Sequence, residues 1–190
     1  MRMRNGNLFV ISGPSGAGKG TLVARLAQRV PDAWVSRSMT TREPREGEVD
    51  GVHYDFLTKE DFLRLAEADG FLEWAEYAGN CYGTPRKSIE DALAAGKQII
   101  LEIDVQGAFQ VREKMPSAHL VFIVPPSLEE LERRLRGRGT EEEDVIARRM
   151  EAARFELSHK DEYDKQLVND DLDTATDELV AYVDSFADRK

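Results

Sequence analysis

Five short apolar runs divide the chain, and segments with helical periodicity separate most of them. The runs occupy residues 8–12, 33–36, 98–103, 119–124 and 166–168. Three of them are apolar almost throughout, which is typical of strands that helices bury on both faces. Strands that alternate with helices form parallel sheets, because a parallel connection needs a crossover. The pattern therefore predicts an α/β fold with a five-stranded parallel sheet and helices on both faces.

Two capping boxes predict where later helices begin. Ser127 is followed three positions later by Glu130, and Thr140 is followed in the same way by Glu143. In such a box the hydroxyl accepts a backbone N–H of the first helical turn, which needs an acceptor. Apolar positions at helical spacing follow both boxes, so we predict two helices here and a further one near the C-terminus.

Residues 38–95 interrupt this alternation. The runs 52–57 and 71–77 alternate like half-buried strands, 59–68 has helical spacing, and Gly79-Asn80 predicts a turn into a strand at 81–84. We predict a small β-rich arm inserted between the second and third strands of the sheet. Segment 137–139 predicts the hinge of a short helical lid. A single domain would then comprise a core (1–37, 96–136 and 160–190), an arm (38–95) and a lid (137–159).

Composition limits the partners of the chain. Its formal net charge is −10, with 41% hydrophobic and 33% charged residues. A negative surface disfavours nucleic acid and anionic membranes. The single cysteine, Cys81, excludes an internal disulfide and fits a reducing compartment, and no apolar run reaches membrane-spanning length. We expect a cytoplasmic protein that binds neither nucleic acid nor membrane and needs no obligatory protein partner.

The first predicted strand runs into a glycine-rich loop, and a lysine opens the helix that follows. The loop reads Gly13, Pro14, Ser15, Gly16, Ala17, Gly18, Lys19, Gly20 and Thr21. Glycines let backbone N–H groups surround an anion, the helix N-terminus adds partial positive charge, and Lys19 adds a full charge. An ordinary glycine turn is the alternative, but strand, loop, lysine and helix in this order predict a phosphate-binding P-loop. The strict pattern has Ser or Thr where Gly20 stands, so we assign no direct metal ligand and expect Mg²⁺ to be held through water.

A second anion site is predicted by Arg42 and Arg45. These arginines lie three residues apart in a segment that contains Pro44 and Gly47. Both can therefore turn toward one anion, and planar guanidinium groups suit bidentate phosphate contacts. A solvated charged loop is the alternative. A P-loop together with a second anion site indicates phosphoryl transfer rather than nucleotide binding alone.

Two carboxylates are placed to recognise a base. Strand alternation sends Glu73 to the face opposite Leu72 and Trp74, where it can enter a pocket. Asp104 follows the run 98–103, at the sheet edge where ligands of open α/β folds bind. It could equally cap a helix or act as a Walker-B-like aspartate near the metal. Two carboxylates would accept the N1–H and N2–H₂ of guanine, whereas adenine lacks both donors and would leave them unpaired.

Six arginines lead into the predicted lid or lie on the helix beyond its hinge. They are Arg133, Arg134, Arg136, Arg138, Arg148 and Arg149. Some of them are expected to be only a solvated face. In a phosphoryl-transfer enzyme, however, a closing lid brings arginines onto the transferring group and excludes water.

Together these residues resemble the guanylate kinase family over nearly the whole chain. The most specific match is segment 40–56, which reads TTREPREGEVDGVHYDF, and further matches lie at 71–74, 82–84, 104–107, 137–140 and 168–173. The resemblance implies a P-loop fold with a GMP-binding arm and a lid. It also implies transfer of the terminal phosphoryl group of ATP to GMP, and to dGMP, with Mg²⁺.

The resemblance implies a role for each matching residue. The GMP phosphate would be held by Arg42, Arg45, Tyr54 and Tyr82. The guanine would be read by Ser38, Glu73, Thr84 and Asp104. The ATP phosphates would lie in loop 13–21, with Asn169 near the adenine. Lys19 and Arg42 would act in catalysis with the lid-side arginines Arg134, Arg138 and Arg149.

Three other functions stay open at this point. One is a kinase for AMP, UMP or CMP. A second is a GTPase, because Asp104-Val105-Gln106-Gly107 also fits the DxxG pattern, although the Asn-Lys-x-Asp guanine motif is missing. The third is a non-catalytic interaction module like those of scaffold proteins. The intact lysine of the P-loop favours an enzyme over the module.

Overall fold

A computed structural model describes residues 4–137 and 143–187. The capping box at Thr140 and the predicted site residue Arg138 lie outside these ranges. The first half of the chain forms β1 (Asn7–Ser12), α1 (Lys19–Arg29), β2 (Ala33–Val35), β3 (Met39–Thr40), β4 (Asp55–Phe56), α2 (Lys59–Glu67), β5 (Phe71–Tyr77), β6 (Asn80–Pro85) and α3 (Arg86–Ala94). The second half forms β7 (Gln98–Glu102), α4 (Val105–Lys114), β8 (His119–Val124), α5 (Leu128–Arg136), α6 (Glu143–Ser158), a 3₁₀ turn (Lys160–Glu162), β9 (Lys165–Val168) and α7 (Leu172–Ala187).

The main sheet contains the five predicted strands in the order β2-β7-β1-β8-β9, and all of its pairings are parallel. Alternation along β1 explains the two apolar layers. Leu8 and Val10 pack with α3 and α4 on one face, and Phe9 and Ile11 pack with α1 and α7 on the other. Because all four side chains are at most 2% exposed, helices bury the strand from both sides. The predicted fold class is confirmed.

A second sheet has the order β4-β3-β6-β5. Helix α2 packs on it through Phe62, which joins Phe71 and Cys81 in a separate small core. The predicted strand at 52–57 is wrong in extent, since only Asp55–Phe56 pair with β3. Residues 51–53 form a turn, with Gly51 at φ +75°, a backbone conformation that interrupts a strand.

Helices α5 and α6 pack against each other through a third core. Leu131 and Leu135 of α5 contact Ile146, Met150 and Ala153 of α6. The predicted cap at the start of α5 is confirmed, because the Ser127 hydroxyl accepts the Glu130 N–H at 3.1 Å. Across the described residues, every helix is too short or too polar to span a bilayer.

Candidate active site

The P-loop lies at the carboxyl edge of the main sheet, between β1 and α1. Gly13 and Gly18 have φ values of +142° and +90°, a backbone conformation that residues with a side chain rarely adopt. A Cβ atom on Gly13 would lie 2.4 Å from the Ile123 carbonyl oxygen, and one on Gly18 would lie 2.4 Å from Asn169 Nδ2. Both glycines are therefore required by the path of the loop as well as by its backbone angles.

Lys19 begins α1 and folds back over the loop. Its Nζ donates hydrogen bonds to the carbonyl oxygens of Gly13, at 2.5 Å, and Pro14, at 3.2 Å. Thr21, in the same first turn of α1, is exposed. At Gly20, a Cβ atom would lie 3.6 Å from Glu102 Oε2. The position that lacks a hydroxyl therefore faces a carboxylate.

Glu102 is a site residue that the sequence did not indicate. It is the last residue of β7, and its side chain is accessible from the cleft. Desolvation by the surrounding protein raises the pKa of Glu102, and the charge of Lys19 opposes that rise. The sequence feature that could have indicated Glu102 is its position at the end of an apolar strand, two residues before Asp104.

Arg42 and Arg45 converge on one carboxylate. Arg42 Nη2 donates to Glu48 Oε1 at 2.9 Å, and the backbone N–H of Arg45 donates to Glu48 Oε2 at 2.8 Å. These two hydrogen bonds lower the pKa of Glu48 to about 2. The Arg45 side chain itself is exposed. This segment therefore already binds an anionic group.

Two tyrosines complete the surroundings of Arg42. Its guanidinium carbon lies 5.5 Å from the centre of the Tyr54 ring, which is a cation–π distance. The rings of Tyr54 and Tyr82 are 6.3 Å apart and meet edge to face. Both tyrosines line a neighbouring cavity, so the cationic group and this cavity are adjacent.

The cavity between the arm and the main sheet has a volume of about 290 Å³. Ser38, Tyr54, Tyr82, Glu73 and Asp104 are among its lining residues. Asp104 also caps α4, where its Oδ1 accepts the Gly107 N–H at 2.8 Å. Asp104 therefore both caps α4 and lines the cavity.

Glu73 is only 7% exposed. Its Oε1 accepts a hydrogen bond from Thr84 Oγ1 at 2.6 Å. Burial raises the pKa of Glu73, the Thr84 hydrogen bond opposes the rise, and the charge of Asp104 adds to it. One carboxylate oxygen is thus fixed by a neighbour while the side chain borders the cavity.

Strand β5 does not alternate strictly around Glu73, so the prediction that Leu72 and Trp74 share one face is wrong. The pairing of β5 with β6 shifts register between Phe71 and Glu73. Leu72 therefore packs in the main-sheet core, whereas Trp74 packs in the arm core. The bulge, rather than strict alternation, aims Glu73 at the cavity.

A larger cavity of about 490 Å³ joins the P-loop to the arm. Its lining includes Ser15 and Lys19 from the loop region, Tyr54 from the arm, and three carboxylates, Glu102, Asp104 and Glu156. Glu156 of α6 was also not indicated by the sequence, because helical spacing marks only apolar faces. Burial raises its pKa to about 7, with Lys19 opposing and Asp104 adding to the rise.

The lid-side arginines separate into two groups. Arg134 is half-buried and donates to Glu130 Oε1 at 2.8 Å and to the Asn169 carbonyl oxygen at 3.1 Å. Arg149 is half-buried on α6. Three others are exposed and bonded to acceptors on the lid-side helices, as expected of a solvated face: Arg133, Arg136 and Arg148.

These features define a class of enzyme. The P-loop borders a cavity at the carboxyl edge of a parallel sheet, and Tyr54, which stacks beside Arg42 of the second anion-binding segment, lines the same cavity. This arrangement is that of a P-loop kinase that phosphorylates a small acceptor.

Comparison with known proteins identifies the family. The guanylate kinase family model matches residues 5–186. The chain is 56% identical to a guanylate kinase of Synechococcus sp. (strain CC9311) over 90% of each chain. It is 57% identical to one of Parasynechococcus marenigrum (strain WH8102), over 90% of this chain and 93% of that one. The crystal structure of guanylate kinase from Anaplasma phagocytophilum superposes with a TM-score of 0.78 at 35% identity, covering 100% of this chain and 90% of that chain. The chain belongs to the guanylate kinase family, which confirms the resemblance.

Proposed function

We propose that this chain transfers the terminal phosphoryl group of ATP to GMP, giving ADP and GDP, and that it accepts dGMP as well. The observation that carries this conclusion is a pair of adjoining cavities that share Tyr54 and Asp104, one bordering the P-loop and the other lined by Glu73. Relatives named guanylate kinase match about nine-tenths of the chain. They support an ATP:GMP phosphotransferase over a GTPase, a kinase for another monophosphate, or an interaction module.

Loop 13–21 binds the ATP phosphates in this proposal. The loop glycines leave the backbone N–H groups accessible, and the N-terminus of α1 adds its dipole. Lys19 already lies over the loop on the carbonyls of Gly13 and Pro14. A phosphate oxygen offers this ammonium group a stronger, charged acceptor than a carbonyl.

The GMP phosphate binds beside Arg42, Arg45, Tyr54 and Tyr82. Glu48 now accepts hydrogen bonds from Arg42 and from the Arg45 backbone. An incoming phosphate offers more acceptor oxygens and more negative charge than Glu48, so it competes well for the Arg42 guanidinium group, and the exposed Arg45 side chain can turn toward it. Glu48 keeps the arginine segment in a conformation that receives the phosphate.

Ser38, Glu73, Thr84 and Asp104 recognise the guanine. Thr84 occupies one oxygen of the Glu73 carboxylate, and the remaining acceptor positions suit the N1–H and N2–H₂ of guanine. Adenine would leave buried acceptors without donors, which costs enough to discriminate by orders of magnitude.

The reaction needs charge neutralisation rather than a strong base. The attacking oxygen of GMP is already anionic at neutral pH, and the difficulty is to bring two polyanions into line. Lys19 neutralises negative charge on the ATP side of the transferred phosphoryl group, and Arg42 does so on the GMP side. The family resemblance assigns Arg134, Arg138 and Arg149 to the same task, as further positive charge for the transferring group.

The residues present fit a Mg²⁺ ion that arrives with ATP. Mg²⁺ takes oxygen ligands, commonly one or two carboxylates together with substrate phosphates. Glu102 borders the P-loop and faces the open position at Gly20, so it would hold the ion directly or through water in place of the missing hydroxyl. When bound, Mg²⁺ supplies positive charge to the β- and γ-phosphates.

The test is a coupled assay of ADP formation from ATP with GMP, dGMP, AMP, UMP or CMP offered in turn. We expect rapid turnover with GMP and dGMP and rates at least a hundredfold lower with the other three, a rough figure for unpaired buried acceptors. Similar rates with AMP or a pyrimidine nucleotide would contradict the proposal. GTP hydrolysis without any acceptor would instead support the GTPase. Cytoplasmic location and the lack of nucleic-acid, membrane or protein partners stay predictions from composition.

A further inference from the structure

Asn169 anchors the P-loop to the main sheet through hydrogen bonds. It follows β9, is 5% exposed, and its Nδ2 donates to the Ala17 carbonyl oxygen at 2.8 Å. Its own backbone N–H donates to the Val124 carbonyl oxygen at 2.9 Å. The side-chain amide is therefore fixed relative to the main sheet, and the loop peptide is fixed relative to the amide.

This contact sets the direction of one loop peptide. The C=O and N–H of a trans peptide point in opposite directions. With the Ala17 carbonyl held against Asn169, the N–H of Gly18 is turned away from Asn169. Gly18 has φ +90°, and a Cβ atom there would lie 2.4 Å from Asn169 Nδ2. Loop and amide therefore fit each other with no spare room.

Asn169 also receives a hydrogen bond from the lid-side helix α5. Arg134 Nη2 donates to the Asn169 carbonyl oxygen at 3.1 Å, and Arg134 Nε donates to Glu130. The residue thus lies between the lid side and the P-loop. An adenine contact, which the family resemblance implies, would leave the buried bond to Ala17 unexplained.

We propose that Asn169 is a positioning residue that orients the Ala17–Gly18 peptide so that the Gly18 N–H faces the phosphates of the donor. This inference rests on the proposed function, because it assigns the loop to the donor. It makes Asn169 important for every phosphate ligand of the loop, whatever base that ligand carries.

The test compares a ligand with adenine and one without. Calorimetry on the full chain with Mg²⁺ measures the affinities for ADP and for inorganic tripolyphosphate. In Asn169→Ala, both affinities should fall by the same factor of about ten, because a buried carbonyl loses its donor and the peptide is released. Asn169→Asp, which keeps the size but presents only acceptors to Ala17, should weaken both at least as much.

Thr176→Val is the matched control. Thr176 is 2% exposed, and its hydroxyl donates to the Leu172 carbonyl within α7 rather than to the P-loop. It should lower the unfolding temperature while both affinities stay at the wild-type value. If Asn169→Ala does not fold, Asn169→Asp, which keeps the side-chain volume, carries the test.

Several results would overturn the inference. Loss of ADP affinity with unchanged tripolyphosphate affinity would assign Asn169 to the adenine. Unchanged affinity for both ligands in a folded variant would show that the bond to Ala17 does not position the loop. Failure of the wild-type chain to bind either ligand would refute the proposed function as well.

Discussion

Glu73→Gln should weaken the use of GMP without unfolding the protein. Glu73 is 7% exposed, and burial raises the pKa of its carboxyl group. A neutral amide of the same size is therefore no harder to bury than the carboxylate. The amide oxygen can still accept the Thr84 hydroxyl, which now lies 2.6 Å from Oε1. The fold should remain, and only the face toward the base should change.

The magnitude follows from the hydrogen bonds lost. Glutamine replaces one acceptor oxygen of Glu73 by an NH₂ group, which would face the donors of guanine. A hydrogen bond to a charged group contributes about 1.5–3 kcal/mol, so kcat/KM for GMP should fall about 10- to 150-fold. IMP lacks the 2-amino group, so kcat/KM for IMP should fall by a smaller factor. The ratio of kcat/KM for GMP to that for IMP should therefore fall.

The assay is steady-state ADP formation with both acceptors, at saturating ATP. Glu76→Gln is the control, because Glu76 lies on the same strand and is exposed. It should leave the GMP to IMP ratio unchanged. The reasoning would be refuted if folded Glu73→Gln protein kept both the ratio and the KM for GMP of the wild type.

Three further predictions concern charge in the cleft. Lys19→Ala should lower kcat by about 10²–10³-fold, and near-normal turnover in the coupled assay would exclude the assigned role. Arg42→Ala should raise the KM for GMP about tenfold or more and leave the KM for ATP unchanged, so a defect confined to ATP would count against it. Burial raises the pKa of Glu156 from 4.5 to about 7, so in the folded protein its carboxyl group is protonated at pH 5 and ionised at pH 8. The buried ionised form is unfavourable, so Glu156 makes the fold less stable as the pH rises to about 7. Glu156→Gln should therefore raise the free energy of unfolding at pH 8 by about 1 kcal/mol more than at pH 5, after solvent screening. Urea titrations of both proteins at both pH values would measure this difference. An equal effect at the two pH values would contradict the prediction.

The main sheet could be predicted because nearby helices bury its three central strands, β7, β1 and β8, on both faces. Runs such as 119–124 are apolar on both faces, and this requires no knowledge of distant residues. The P-loop could be predicted for a related reason, since its glycines and Lys19 lie within nine residues. Local patterns of this kind specify local structure.

Features that depend on contacts between distant segments were missed. The bulge in β5 arises from its pairing with β6, and the sequence of β5 alone suggested simple alternation. Glu102 and Glu156 lie 54 positions apart, and only the fold brings both to the cavity beside Lys19. The bonds from Arg42 and Arg45 to Glu48 are local, and they were missed for a different reason, because a charged loop has no periodicity to interpret.

The central claim is that Glu73 and Asp104 read a guanine whose phosphate lies beside Arg42. The most direct measurement is a crystal structure of the chain with GMP and ADP. The account predicts carboxylate oxygens of both acidic residues within about 3 Å of guanine N1 or N2, and the GMP phosphate within hydrogen-bond distance of the Arg42 guanidinium group. A guanine bound elsewhere, or bound with Glu73 and Asp104 turned away from it, would contradict the account.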